Sequence, residues 1–283
     1  MINKIKKALL NMLGAWRIRK YIRNGHRPWT PGYSEFKESY INSALTENGL
    51  LEIFKTERLL PANYGYRLDE RVVEYPWLFS RLQVEKNHLL DAGSALNFEY
   101  LLKNKWLNHR SLVIYTLSPE RVVRDNNISY IYGDLRNTIL KSECFDEIVC
   151  ISTIEHIGMN NQFLYSDNSI FNEFETDSYI DAILELKRLL KSSGKFFITV
   201  PYGSYQNLGW LQQFDHEMVS KLIDAFNGSK TTETYFKYQN DQWQLTNAEA
   251  CSDCRYFDVH NQPTFEKDYL AAARAVACIE IIK

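Results

Sequence analysis

From His88 onward, short apolar runs alternate with longer stretches of helical spacing. The runs are "HLLDA", "SLVIYTL", "ISYIYGD", "DEIVCIST" and "KFFITVP", each a nearly continuous series of aliphatic and aromatic positions. Strands buried on both faces read this way, so the alternation predicts β-α units around a mainly parallel sheet. In "DSYIDAILELKRLLKSSG", Ile180, Ile183, Leu184, Leu186 and Leu190 mark one face of a helix. Its last turn is basic, and Gly194 is the expected stop. A second helix is expected from Asp215, a good N-cap, to Asn227, with Gly228 ending it. "TETYFKYQ" and the tail "AVACIEIIK" read as further strands. Between them lies an insertion at about 240–274, rich in Trp, Tyr, Asp and Asn, longer than a hairpin loop needs.

Before His88 the pattern changes. Ile2, Ile5, Leu9, Met12, Leu13 and Trp16 recur at three- and four-residue spacing, which predicts an amphipathic arm over residues 1–27. The arm holds eight of the 33 basic residues and none of the 35 acidic ones, leaving an acidic body. Two readings follow. Residues 1–24 lie on an anionic membrane surface, or the helix packs on its own domain with its cations solvated. The apolar segment is interrupted and lacks a small-residue cleavage site, unlike a signal peptide, and no run is long enough to span a bilayer. "GHRPWTPGYSEFKESYI" concentrates Pro, Gly and aromatics and marks a break. Residues 28–83 are expected as a helical and irregular cap, and residues 84–283 as the α/β domain.

Charge and cysteine narrow the classes. An acidic body argues against nucleic acid as a partner. Five scattered cysteines suit a reducing cytoplasm. Cys251 and Cys254 form a lone "CSDC" without a second Cys or His pair at finger-like spacing, so the expectation is a helical turn and no metal.

Ligands of such sheets bind beyond the carboxyl ends of the strands. Here these ends carry Asp91 and Gly93, Thr116 to Pro119, Gly133 and Asp134, Ser152 to Gly158, and Pro201 to Gly203. In "HLLDAGSALN", "YIYGDLR", and "FDEIVCISTIEHIG" followed by "ELKRLLKSSGKFFITVPYG", the chain resembles the class I S-adenosylmethionine-dependent methyltransferases. "RVVEYPWLFSRL", "ISTIEHIGM" and "AVACIEIIK" most resemble the bacterial members found in surface-polysaccharide biosynthesis. The resemblance implies a Rossmann-like class I methyltransferase fold, with a mostly parallel seven-stranded sheet and helices on both faces. It also implies S-adenosylmethionine as cofactor and a small-molecule or glycan acceptor methylated on oxygen, while the cysteines point to the cytoplasm and the basic arm to contact at the inner membrane face.

Physical chemistry says why these residue types would serve. Gly93 lets the backbone approach the methionine part of the cofactor, and Asp91 orients that turn and holds the ammonium through a water. The Asp134 carboxylate accepts from the adenine amino group and the Leu135 amide donates to the ring. Ser94, Thr116 and Ile151 complete the cofactor set. Glu155 and His156 follow the fourth strand at the mouth of the cleft, where a positioned His removes the hydroxyl proton and Glu155 orients or contacts the acceptor. Taken singly, these residues also have plainer roles: Asp134 in a Gly-Asp turn, Glu155 as a helix cap, His156 as a supporting group. His216 and His260 are lesser candidates.

Two departures distinguish this chain. Ala95 and Asn97 stand where the family's first motif usually has glycines, and "VIYTLSPE" offers Thr116 and Ser118 where the second strand usually ends in a ribose-binding acid, with Glu120 as the acid that would have to reach back. They define an alternative: a methyltransferase-like protein without turnover that serves as a binding or assembly component. A nicotinamide dehydrogenase would need G-x-G-x-x-G and an acid after strand two, and the chain has neither.

Overall fold

The computed structural model describes residues 2–84, 87–108, 110–123, 125–165 and 169–283; the side chains of residues 2–11, 48 and 163 lie outside that description. Each apolar run forms a strand: β1 (His88–Ala92), β2 (Ser111–Thr116), β3 (Ile128–Tyr132), β4 (Phe145–Ile151) and β5 (Leu190–Pro201). A two-stranded ribbon follows, β6 (Gln206–Asn207) with β7 (Gln212–Gln213), and then β8 (Lys230–Gln239), β9 (Gln242–Thr246) and β10 (Ala275–Ile282). The main sheet runs β3-β2-β1-β4-β5-β10-β8-β9. Its first five members are parallel, and β10 is wedged antiparallel between β5 and β8. This is a Rossmann-like α/β fold with a mostly parallel sheet, as expected from the sequence, with eight strands where seven were expected. The additional one is β9. Asn240 and Asp241 both take positive φ, 53° and 61°, the pair of left-handed residues a two-residue hairpin turn requires, so the insertion folds straight back onto the edge of β8.

Alternate residues of the strands point to opposite faces, and both faces are covered. Leu89, Leu112, Val149 and Phe197 pack beneath the N-terminal helices α2 (Tyr33–Thr46), α3 (Asn48–Lys55) and α4 (Arg71–Phe79), which follow α1 (Ile2–Arg23). Leu90, Ile148, Phe196 and Ile198 pack beneath α7 (Tyr179–Leu189) and α8 (His216–Phe226). Three single turns, α5 (Glu99–Leu102), α6 (Gln162–Tyr165) and α9 (Ala248–Cys251), complete the set. Helices from residues 28–83 thus form one layer over the sheet and share its core, with the Trp77 ring edge-on to Phe197 at 6.0 Å.

The helix ends differ in how well residue type located them. Asp215 caps α8, its side chain accepting from the Met218 N–H at 3.0 Å, and Asn227 closes the helix in the left-handed conformation ahead of Gly228. Gly194, by contrast, does not stop α7. The helix ends at Leu189, and residues 191–194 form an irregularity inside β5, between the pairing of Leu190 with Phe145 and that of Lys195 with Glu147. A glycine in a strand commonly marks such a bulge. At the far end of the sheet from the cleft, Arg110 and Glu147 form a wholly buried ion pair. Arg110→Met should therefore cost about 3–5 kcal/mol, read by chemical denaturation, because it strands a buried carboxylate; a loss within about 0.5 kcal/mol would show the pair to be dispensable.

Candidate active site

The turn after β1 is built by Asp91. Fully buried, it accepts from the Ala95 N–H at 3.1 Å and the Leu96 N–H at 2.8 Å, fixing the backbone where the sequence is poor in glycine. Burial raises its pKa to about 7 against the opposing pull of those two bonds. Gly93 sits at φ +109°, and a β-carbon there would lie 2.1 Å from Thr153 Oγ1 and 2.7 Å from its Cβ. Only glycine lets the β1 turn meet the loop after β4. Ser94 holds φ +65°, costly by about 1–2 kcal/mol for a residue with a side chain, while its hydroxyl donates to Glu120 Oε2 at 2.8 Å.

Glu120 Oε1 accepts from the Thr116 hydroxyl at 3.1 Å, so one carboxylate spans the ends of β1 and β2. The carboxylate stands four residues beyond the end of β2 and lines the cleft with Gly93, Ser94 and Thr116.

Beyond β3, Asp134, Leu135 and Ile151 line the same cleft. Arg136 grips Asp134, with Nε 3.0 Å from both carboxylate oxygens, and reaches Glu173 Oε2 and Oε1 at 2.8 and 2.7 Å. Burial opposes ionisation of Asp134, but the Arg136 hydrogen bonds prevail and hold its carboxyl below the usual range. Asp134 thus enters the cleft already partnered, and the Arg136 bridge ties the strand end to the segment carrying Glu173.

Sequence reasoning missed Arg71 and Tyr75, which α4 extends into the cleft from the opposite side. Arg71 pairs with buried Glu74, whose other oxygen accepts from the Ser152 and Thr199 hydroxyls at 3.0 and 2.6 Å. The Tyr75 hydroxyl donates to the Ala95 carbonyl at 2.7 Å and ties α4 to the β1 turn. The available signal was the pair Arg71 and Glu74 within an otherwise apolar "RVVEYPWLF": charges kept inside a buried helix need a partner or a task.

His156 and Glu155 close a single 3-10 turn, Ile154–His156, directly after β4. His156 stands where two cavities adjoin. The larger, about 850 Å³, is the cleft just described; the smaller, about 180 Å³, is lined by Trp29, Arg71, Glu155, His156, Trp210 and Tyr256 among others. His156 Nδ1 is 2.9 Å from the Trp210 carbonyl oxygen, which only accepts, so Nδ1 carries the proton and Nε2 is left as the acceptor. Burial lowers the pKa of His156 to about 4; the Trp210 hydrogen bond opposes the shift and the charge of Arg71 reinforces it. Glu155 is buried, its Oε2 has no hydrogen-bond partner, and burial raises its pKa to about 8, so it is uncharged at neutral pH. His260 also lines the small chamber, edge-on to Trp210 at 5.4 Å, whereas His216 opens α8 in solvent outside both cavities. Cys251 ends α9, with Cys254 buried beside it as a free thiol. Among the described residues no group of three or more His, Cys, Asp or Glu could hold a metal.

No protein-family model matches the sequence, and no curated protein matches it. Solved structures do resemble it. The N-methyltransferase NodS from Bradyrhizobium japonicum WM9, in complex with S-adenosyl-L-homocysteine, is 11% identical over 87% of this chain and 97% of its own, with TM-score 0.46. A putative methyltransferase of Haloferax volcanii, in complex with its Trm112 activator, is 12% identical over 85% and 96%, with TM-score 0.43. The Burkholderia thailandensis 1,6-didemethyltoxoflavin-N1-methyltransferase is 12% identical over 88% and 86%, with TM-score 0.41.

Chemically, the arrangement offers a large cleft of mixed polarity, a small aromatic and acidic chamber, and one unprotonated imidazole nitrogen on the residue between them. Such a geometry suits group transfer between two bound molecules, with a proton removed at their meeting point.

Proposed function

We propose that the chain is an S-adenosylmethionine-dependent methyltransferase acting on a hydroxyl of a sugar or glycan precursor, in the cytoplasm and in the service of surface-polysaccharide biosynthesis. The observation that carries this reading is the junction of the two cavities at His156, whose tautomer leaves Nε2 free to accept a proton. The large cleft fits the cofactor by the chemistry of its donors. Glu120 takes the ribose hydroxyls, Asp134 and the Leu135 amide take the adenine edge, and the Gly93 turn admits the methionine portion. Arg71 offers a guanidinium to its carboxylate. When bound, S-adenosylmethionine supplies an electrophilic methyl group.

In the chamber, Trp29, Trp210 and Tyr256 give flat apolar walls for a sugar ring, and neutral Glu155 has an unpartnered oxygen to hydrogen-bond a neighbouring hydroxyl. His156 takes the proton of the attacking hydroxyl. The small volume accommodates one ring rather than a chain, so the rest of a larger acceptor would remain outside. Screening nucleotide-linked sugars for methyl transfer tests this choice; transfer confined to amines would contradict it.

Glu120→Ala should weaken S-adenosylmethionine binding about 10- to 100-fold, as expected for losing hydrogen bonds to a charged acceptor, while turnover at saturating cofactor is largely kept. Calorimetry and saturation kinetics check the two halves separately. Unchanged affinity would remove Glu120 from the ribose site.

One observation favours the alternative of a binding component without turnover: Arg136 already occupies much of Asp134, at the adenine end of the cleft. That reading predicts no dependence of any activity on His156.

A further inference from the structure

We infer that the solvent-facing side of α1 is a docking surface for an anionic lipid bilayer, a role independent of the reaction proposed above. Its carboxyl end is fixed to the domain. Tyr21 is fully buried, with its ring 5.8 Å from Tyr33 and 5.3 Å from Phe36, and a β-carbon on Gly32 would lie 2.3 Å from the Arg17 carbonyl oxygen. Trp16 lies five positions before Tyr21 and therefore on a different side of the helix. There Met12, Leu13 and Trp16, at spacings that place them together, are 71%, 51% and 55% exposed. The domain leaves this apolar strip uncovered.

Its surroundings say what covers it. Arg19, Lys20 and Arg23 are exposed on the same stretch of helix, and Lys20 Nζ lies 5.5 Å from the Trp16 ring centroid. The first carboxylate in the chain is Glu35, which Arg17 pairs at 3.0 Å. Apolar residues continued along the same side of the helix by Lys20 and Arg23, cations with no carboxylate partner among the described residues, fit an acyl boundary beneath phosphate headgroups. A second copy of the same helix would bring like charges together, so self-association is disfavoured. The stripe expected to continue through Ile2, Ile5 and Leu9 falls on side chains outside the described residues. None of the helices described is long and apolar enough to cross a membrane, so contact is at the surface. The segment leaving α1 carries Trp29 to the small chamber beside His156, so docking would hold that chamber near the membrane.

Flotation of the full-length chain tests this, using vesicles of phosphatidylcholine alone and of phosphatidylcholine with an equal amount of phosphatidylglycerol. The expected result is binding to the anionic vesicles alone, weakened by salt. Binding should fall more than about tenfold in a Met12→Ser, Leu13→Ser, Trp16→Ser triple variant and in an Arg19→Glu, Lys20→Glu, Arg23→Glu variant. Both sets are exposed, so an unchanged melting temperature controls for folding. Equal flotation of parent and triple variant would overturn the proposal, as would absence of binding at low salt. A dimer in sedimentation equilibrium that the triple variant dissolves would also overturn it, by showing a second copy on this face.

Discussion

His156→Ala lowers methyl transfer at least about a hundredfold and leaves cofactor affinity within about twofold. The split follows from position. His156 lines both the cleft and the chamber, but the polar groups assigned to the adenosine and methionine portions come from the ends of β1 to β3 and from α4. Its proton acceptor is Nε2, because the Trp210 carbonyl fixes the proton on Nδ1. The pH profile supplies a second readout. Lowered to about 4, His156 stays neutral on falling pH well past the ordinary imidazole range, so activity should persist below pH 6 and fail only toward its own pKa. Glu155, raised to about 8, ionises on the alkaline side, and activity that uses its hydrogen should decline there. Glu155→Gln keeps a donor without the charge and should retain turnover while abolishing the alkaline decline. Undiminished turnover in His156→Ala would remove the base from the account.

Gly93→Ala should lower both cofactor affinity, by more than about tenfold, and the melting temperature. At φ +109° an alanine is strained, and its methyl group would collide with Thr153, not with a flexible chain end: even the Thr153 Cβ is only 2.7 Å away. Relief requires the β1 turn and the β4 loop to separate, and both wall the cleft. A Gly93→Ala, Thr153→Gly double variant removes the collision but keeps the strained φ, so it should recover part of the stability lost. Calorimetric titration and thermal melts measure the two effects. A Gly93→Ala protein that binds cofactor as the parent does would show that the turn does not shape the site.

The parallel half of the sheet was legible because strands buried on both faces leave continuous apolar runs, and β1 coincides with "HLLDA". The hairpin that adds β9 was not, because its signal is only the conformation of Asn240 and Asp241 in the middle of a polar insertion. The site divides in the same way. Residues directly beyond strand ends, such as Gly93, Asp134 and His156, could be named as candidates because topology places them around one cleft and the family resemblance picks them out in series. Glu120 could not be assigned, since whether it reaches back to Thr116 and Ser94 depends on the path of an irregular loop. Arg71 was hidden for a different reason: α4 lies far from the strand ends in sequence, and only the packing of the N-terminal layer brings it into the cleft. Asp91 is a milder case. It sits beneath the turn, bonding backbone amides, so its direct contribution is to the shape of the loop.

The central claim is that the cleft holds S-adenosylmethionine, and isothermal titration of the intact chain with it and with S-adenosylhomocysteine tests that most directly. The account predicts one site for each, with dissociation constants below about 1 mM and competition between the two. Folded protein that takes up neither compound at millimolar concentration would contradict it.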